Sequence, residues 1–325
     1  MKNVLKNLLI LLVTILMTLL TIELLLRIFM PQTTLSDIEK RAITIFKDGD
    51  FIPFTTKPNS RSEWVDLLHH EFHVNITIDS NGFRGINNNL NIISIGDSFT
   101  FGYGVQDNET YSYLLNITNA GYYCGISPDT YYLCIKNLKY KPKIILLNIF
   151  VGNDITDIGD NEWVELNGLP TKIKSRIYYV DEQGRLRNKQ YISNNFYNTI
   201  GNLLWRHSQL YNLIKYNFNL NKNKECITCE NYWTNNKENF DKFVRSMDGI
   251  KDYTDKNNIK LLVLLIPAKS QWNNLPQQKV KQSLNGVETV DLFDMSQNQS
   301  LYFKKDIHIN NFGNKYIADV IKWKI

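Results

Sequence analysis

The run Ile92-Ile93-Ser94-Ile95-Gly96-Asp97-Ser98-Phe99-Thr100-Phe101-Gly102-Tyr103-Gly104-Val105 constrains the chain most. Ile92, Ile93 and Ile95 are β-branched and predict a short buried strand. Gly96 lets the chain turn without a Cβ clash, and Gly102 and Gly104 keep the following loop thin. Ser98 then falls just past the carboxyl end of a parallel strand, the edge where open α/β sheets place their ligands. Asp97 and Ser98 equally suit a turn and a helix cap, so this run alone leaves structural and chemical roles open. The G-x-S-x-G nucleophile elbow does not fit, because Thr100 stands at its second glycine.

Further apolar runs repeat the pattern. Ile144-Ile145-Leu146-Leu147-Asn148-Ile149-Phe150 predicts a buried strand closed by Val151-Gly152-Asn153-Asp154. Leu261 to Ile266, stopped by Pro267, predicts another, and Val290-Asp291-Leu292-Phe293 the last. Helical spacing lies between the strands, around Tyr111, Leu114 and Leu115 and after Asp129, and Phe312 to Trp323 predicts a closing helix. Alternation of strand and helix argues for parallel βαβ units. Residues 32–90 are expected to be irregular and partly extended. Residues 157–258 break the pattern as an insertion, expected to form a lid or substrate wall. In it Arg176-Ile177-Tyr178-Tyr179-Val180 and Gly184-Arg185-Leu186 suggest a hairpin. Phe196, Ile200, Leu203, Leu204, His207, Tyr211 and Ile214 follow helical spacing, so His207 is expected in the core. Residues 219–239, rich in Asn and Lys, are expected as a surface loop.

Leu8 to Ile22 is an unbroken run of aliphatic, Met and Thr residues. Counted from Val4, with Lys6 snorkelling, it reaches about 19 residues, near the ~20 that cross a bilayer. A cleavable signal needs small residues at the end of the run, and the first alanine is Ala42. An uncleaved signal anchor over residues 1–30 is therefore expected. Lys2 and Lys6 favour a cytoplasmic N-terminus and an extracytoplasmic body, membrane-bound through this single pass.

The 325 residues are 43% hydrophobic with a net charge of +5, enough for one large core. Lys136, Lys139, Lys141 and Lys143 form the one dense basic run, which suits a solvated face better than nucleic acid. The four cysteines, Cys124, Cys134, Cys226 and Cys229, permit three disulfide pairings in an oxidising compartment. Cys226 and Cys229 have no second close pair to complete a zinc ribbon. A Cys124–Cys134 disulfide is one expectation, since it would stiffen the loop at Gly125. His69, His70 and His73 cluster without a cysteine or firm carboxylate partner, a weak basis for a metal.

Gly96-Asp97-Ser98-Phe99-Thr100 resembles the first block of the SGNH (GDSL-like) hydrolases, and the preceding Asn81-Gly82-Phe83-Arg84 resembles the lead-in of membrane-anchored members. Phe99 stands where the family usually has Leu, an apolar variant expected to touch no catalytic atom. The later blocks follow in the family order: Gly125 before a helix, Gly152-Asn153-Asp154 after a strand, and Asp306-Ile307-His308 near the C-terminus. Many members carry Asp-x-x-His, and the shorter Asp-x-His occurs notably among polysaccharide-modifying ones. On extended chain, residues i and i+2 share a face, so Asp306 and His308 can converge.

The resemblance covers residues 81–154 and 261–325. It implies a three-layer α/β/α, flavodoxin-like fold over residues 81–325, after an anchor and an extended linker at 31–80. It implies Ser98 as nucleophile, His308 as base and Asp306 as its orienter. The implied oxyanion donors are the amides of Ser98 and Gly125 and the side chain of Asn153, with Gly121 as rival to Gly125. No metal or organic cofactor is required. The expected activity is acyl-ester hydrolysis, with cell-envelope carbohydrate as substrate. The alternative is polysaccharide O-acetyl transfer by the same acyl-enzyme chemistry, fed by a membrane acyl-donor partner. A third reading is a catalytically inactive glycan-binding module.

Overall fold

The computed structural model describes every residue except 1, 87–88, 190–195, 220–235, 272 and 285. Cys226 and Cys229, and most of the Asn/Lys-rich stretch 219–239, lie outside the described residues. The chain divides into two compact units, one of Met1–Ala42 with Gln190–Asn223 and one of Ile43–Lys189 with Lys224–Ile325.

The larger unit is built on five parallel strands: β5 (Ile92–Gly96), β6 (Thr118–Gly121), β7 (Ile144–Phe150), β12 (Lys260–Ile266) and β13 (Glu288–Asp291). Their spatial order is β13-β12-β7-β5-β6. Renumbered along the chain this is the doubly wound 2-1-3-4-5 arrangement, whose switch point lies between β5 and β7. Both faces are covered, which is why the central strands are mostly apolar, with Ser94 and Asn148 as buried polar exceptions. Ile145, Leu147 and Ile149 of β7 face one core with Val263 and Leu265 of β12, while Leu146, Phe150, Leu262 and Leu264 face the other.

On the first face lie α5 (Pro128–Lys136), α9 (Lys237–Lys256) and α10 (Leu275–Ser283), which contribute Leu133 and Ile135, Phe243, Met247 and Ile250, and Val280. On the second lie α3 (Ser98–Phe101), α4 (Tyr111–Leu114) and α11 (Asn311–Ile321), through Phe99, Tyr111, Ile317 and Ile321. The three-layer α/β/α expectation holds.

Residues 43–78 depart from expectation. They form two antiparallel hairpins, β1 (Phe46–Asp48) with β2 (Phe54–Thr56) and β3 (Arg61–Val65) with β4 (His73–Thr77). Ile45, Phe54, Trp64, Ile76 and Ile78 are buried with the main core. Strands of three to five residues are too short to show a period in sequence, so the signal was weak.

The inserted region is divided between the units. The hairpins β8 (Asn161–Leu166) with β9 (Leu169–Ser175) and β10 (Tyr178–Val180) with β11 (Leu186–Asn188) belong to the sheet unit. So does α9, whose buried side chains make it a layer of the fold and not part of a lid.

In the smaller unit, α1 (Lys2–Phe29) is long and apolar enough to cross a membrane. It is followed by α2 (Leu35–Lys40), α7 (Phe196–His207) and α8 (Gln209–Asn219). His207 is exposed there, not in a core.

Candidate active site

The loop after β5 is shaped by Asp97 and Arg84. Asp97 is the N-cap of α3, its Oδ1 accepting from the amide of Phe99 at 3.0 Å. That cap puts Ser98 in the first helical position, where the amide has no intrahelical acceptor. Asp97 is fully buried, and its Oδ2 has no hydrogen-bond partner. Burial pushes its carboxyl up to about 6, against hydrogen bonding and the nearby His308. Arg84, fully buried, holds the far end of the loop. Its guanidinium donates to the carbonyls of Phe101 (2.6 Å), Gly102 and Val105 (2.6 Å), and to Asp107 Oδ1 at 3.0 Å.

Ser98 Oγ lies 2.8 Å from His308 Nε2, across 210 residues of sequence. His308 Nδ1 lies 2.6 Å from Asp306 Oδ1, and the same oxygen accepts the His308 amide at 2.8 Å. Burial alone would raise the Asp306 carboxyl, but the hydrogen bonds and charge of His308 leave it below the ordinary carboxylate range. Asp306 is therefore ionised at neutral pH and fixes His308 with Nδ1 as donor and Nε2 facing the serine. An imidazole so placed can take a proton from Oγ as a carbon–oxygen bond forms.

The imidazole is also wedged between rings. Tyr103 stacks on it at 3.9 Å with an 8° interplanar angle, and its hydroxyl hydrogen-bonds Asp306. Phe99 lies against it with centroids 4.9 Å apart. The expectation that Phe99 touches no catalytic atom is thus corrected: as the second residue of α3 its ring turns onto that of His308.

Two residues missed by sequence reading grip the segment that carries Asp306. The Glu71 carboxylate accepts the amides of Lys304 (2.6 Å), Lys305 (3.0 and 3.1 Å) and Asp306 (2.9 Å). Lys269 Nζ donates to the carbonyls of Phe303 (2.6 Å), Lys304 (2.8 Å) and Asp306 (3.3 Å). A carboxylate on the amides and an ammonium on the carbonyls satisfy one turn from both sides. No local pattern could have revealed either, because Glu71 is 235 residues from Asp306.

The remaining expected residues lie around the strand ends. Gly121 ends β6 with its amide donating to Asn119 Oδ1 at 3.0 Å, and a Cβ there would strike the backbone of α3. It serves packing. Gly125 has φ +62°, a conformation that favours glycine, and a Cβ would meet the Tyr178 ring. The amides of Ser98 and Gly125 donate to no other described residue. Asn153, the N-cap of α6 (Asp154–Asp157), donates from Nδ2 to Asp157 Oδ2 at 3.0 Å, and its Oδ1 is buried without a partner.

The Cys124–Cys134 disulfide is not formed, and both thiols are free. Cys134 donates to Tyr122 Oη at 3.1 Å, whereas Cys124 bonds Tyr178, so the two side chains engage different partners. Burial pushes the Cys134 thiol up to about 12, leaving it protonated and a poor nucleophile. The three histidines of the lead-in do not converge. His73 pairs with Glu63, while His69 lies with Asp66 and Glu71, whose carboxylates already take backbone amides.

No protein-family model matches the chain, and no curated protein sequence does. Among solved structures it is similar to one described as a lipolytic protein of the G-D-S-L family from Desulfitobacterium hafniense DCB-2. That match has 13% identity and a TM-score of 0.39, and covers 73% of this chain and 100% of the other. A GDSL-like lipase from Bacteroides thetaiotaomicron VPI-5482 matches at 11% identity and TM-score 0.35, over 72% and 86% of the two chains. A protein described as an acylhydrolase from Bacteroides fragilis NCTC 9343 matches at 11% and 0.37, over 74% and 88%. Likenesses this remote add no weight to the geometry.

Proposed function

We propose that the protein is an SGNH-type serine ester hydrolase, tethered by α1 and acting outside the cytoplasm on acylated cell-envelope carbohydrate. The observation that carries this reading is the Ser98–His308–Asp306 chain of short hydrogen bonds at the carboxyl end of β5. In this reading Ser98 Oγ attacks the ester carbonyl and passes its proton to His308 Nε2. The imidazolium, stabilised by Asp306, then protonates the departing alcohol, and water enters by the same route in reverse. The amides of Ser98 and Gly125 and the Nδ2 hydrogen of Asn153 not directed at Asp157 are the oxyanion donors. The membrane tether and the short Asp-x-His block favour an envelope polysaccharide. Support for a retained anchor comes from the smaller unit. The Glu23 carboxylate accepts the amides of Gln209 (2.8 Å) and Leu210 (3.0 Å), and Arg27 donates to the His207 carbonyl. Cleavage of α1 would remove these contacts.

A fluorophosphonate probe should label the Ser98 peptide in the full-length protein and fail to do so in His308→Ala. Turnover of acetyl and longer-chain esters, measured with and without a polysaccharide acceptor, separates hydrolysis from transfer to a sugar hydroxyl. Labelling elsewhere, or none with the wild type, overturns the reading.

If the Glu71 grip positions Asp306, Glu71→Gln should lower kcat by about 10- to 100-fold, the cost of a misplacement near 1 Å. KM should stay unchanged and the probe-labelling rate should fall in proportion, whereas simple loss of folded protein would leave the labelling rate per folded molecule intact.

A further inference from the structure

We propose that the outward face of α7, continued by Ile214 of α8, lies on the lipid surface around the anchor as an in-plane amphipathic element. Ile200, Leu203, Leu204 and His207 occur at i, i+3, i+4 and i+7 and so share one face of α7. In a soluble helix that stripe turns inward. Here it turns outward. Leu203 is 58% exposed, Ile200 42% and Leu204 40%, while Asn202, Trp205 and Arg206 on the other face are half-buried. Ile214 of α8 is 49% exposed.

The height of this face along α1 selects the partner. Val4 to Ile22 is 19 residues, a rise of about 28 Å, which matches a hydrocarbon thickness of about 30 Å. Glu23 therefore marks the boundary where headgroups begin. That residue is the one gripped by the N-terminus of α8, with Ser208 Oγ adding a third donor at 3.0 Å. Arg27, one turn further on, takes the last carbonyl of α7. The end of α7 and the start of α8 are thus fixed at the membrane boundary, and the exposed stripe runs back along α7 from that end. Helices with this face buried in the headgroup and upper acyl region lie in the membrane plane. The inference rests on α1 crossing the bilayer and is independent of the catalytic reading.

The test uses the full-length protein in bilayer discs containing anionic lipid, with a photo-crosslinking residue at one position each: Leu204→benzoylphenylalanine, Leu12→benzoylphenylalanine in α1, and Lys174→benzoylphenylalanine on β9. Lipid adducts are expected at positions 204 and 12, with none at 174. Should the first variant fail to fold, Leu203→benzoylphenylalanine reports the same face. Lipid at 12 with none at 204 overturns the surface and leaves the anchor standing. Crosslinks from 204 to another protein or to a second copy overturn it in favour of protein docking. Absence of lipid at 12 overturns the anchor as well.

Discussion

Ser98→Ala is expected to lower ester turnover by about 10⁴- to 10⁶-fold, the loss usual when the nucleophile of a coupled triad is removed. Ser98 is 5% exposed and its hydroxyl makes its contact to His308. Removing it takes one small group from a strand end and leaves α3 capped by Asp97, so the thermal midpoint should stay close to that of the wild type. No second nucleophile offers an escape among the described residues of the site. Cys124 and Cys134 are half-buried residues whose thiols desolvation holds protonated. The check is steady-state turnover per folded molecule, with folding followed by circular dichroism. A folded variant that turns over at the wild-type rate removes Ser98 from the mechanism.

The largest expected effect on stability is at Arg84. Arg84→Met keeps much of the aliphatic stem but strips the donors from three carbonyls and leaves Asp107 without its cation. Asp107 is partly exposed, so the cost lies mainly in the stripped buried carbonyls, at about 1–3 kcal/mol for each left unsatisfied. Part of the effect should reach the site, because the carbonyls of Phe101 and Gly102 close the helix that begins at Ser98. Urea unfolding of the two proteins measures the difference, read as a lower midpoint at similar slope. A change within about 1 kcal/mol, the scale of an exposed ion pair, would mean that the guanidinium is not what holds this loop.

Some of this arrangement was legible from neighbouring residues alone. The apolar runs at Ile92, Ile144 and Leu261 defined buried parallel strands, because a strand covered on both faces has no polar alternation to offer. Polar punctuation at Asp97, Asn153 and Asp306 then marked the strand ends and loops that carry the candidate residues. The short spacing of Asp306 and His308 sufficed for them to meet, since the bond between them is local. The long unbroken apolar stretch near the N-terminus likewise gave a helix long and apolar enough to cross a membrane.

What the tertiary structure decided depends on contacts that sequence spacing does not encode. Helical periodicity placed Ile200, Leu203 and Leu204 on one face, but a stripe looks the same in sequence whether it meets a core or faces outward. The packing of the smaller unit set its direction. The same holds for Cys124 and Cys134, ten residues apart, which bond two different tyrosines, Tyr178 and Tyr122, and not each other. Glu71 lies in a segment read as irregular linker, yet it caps the turn that carries Asp306. Its role exists only because the hairpins of residues 43–78 fold onto the sheet, and that convergence is driven by burial of Ile45, Phe54 and Trp64. Burial is a property of the whole core: local sequence determines which groups can bond, and long-range packing determines which ones meet.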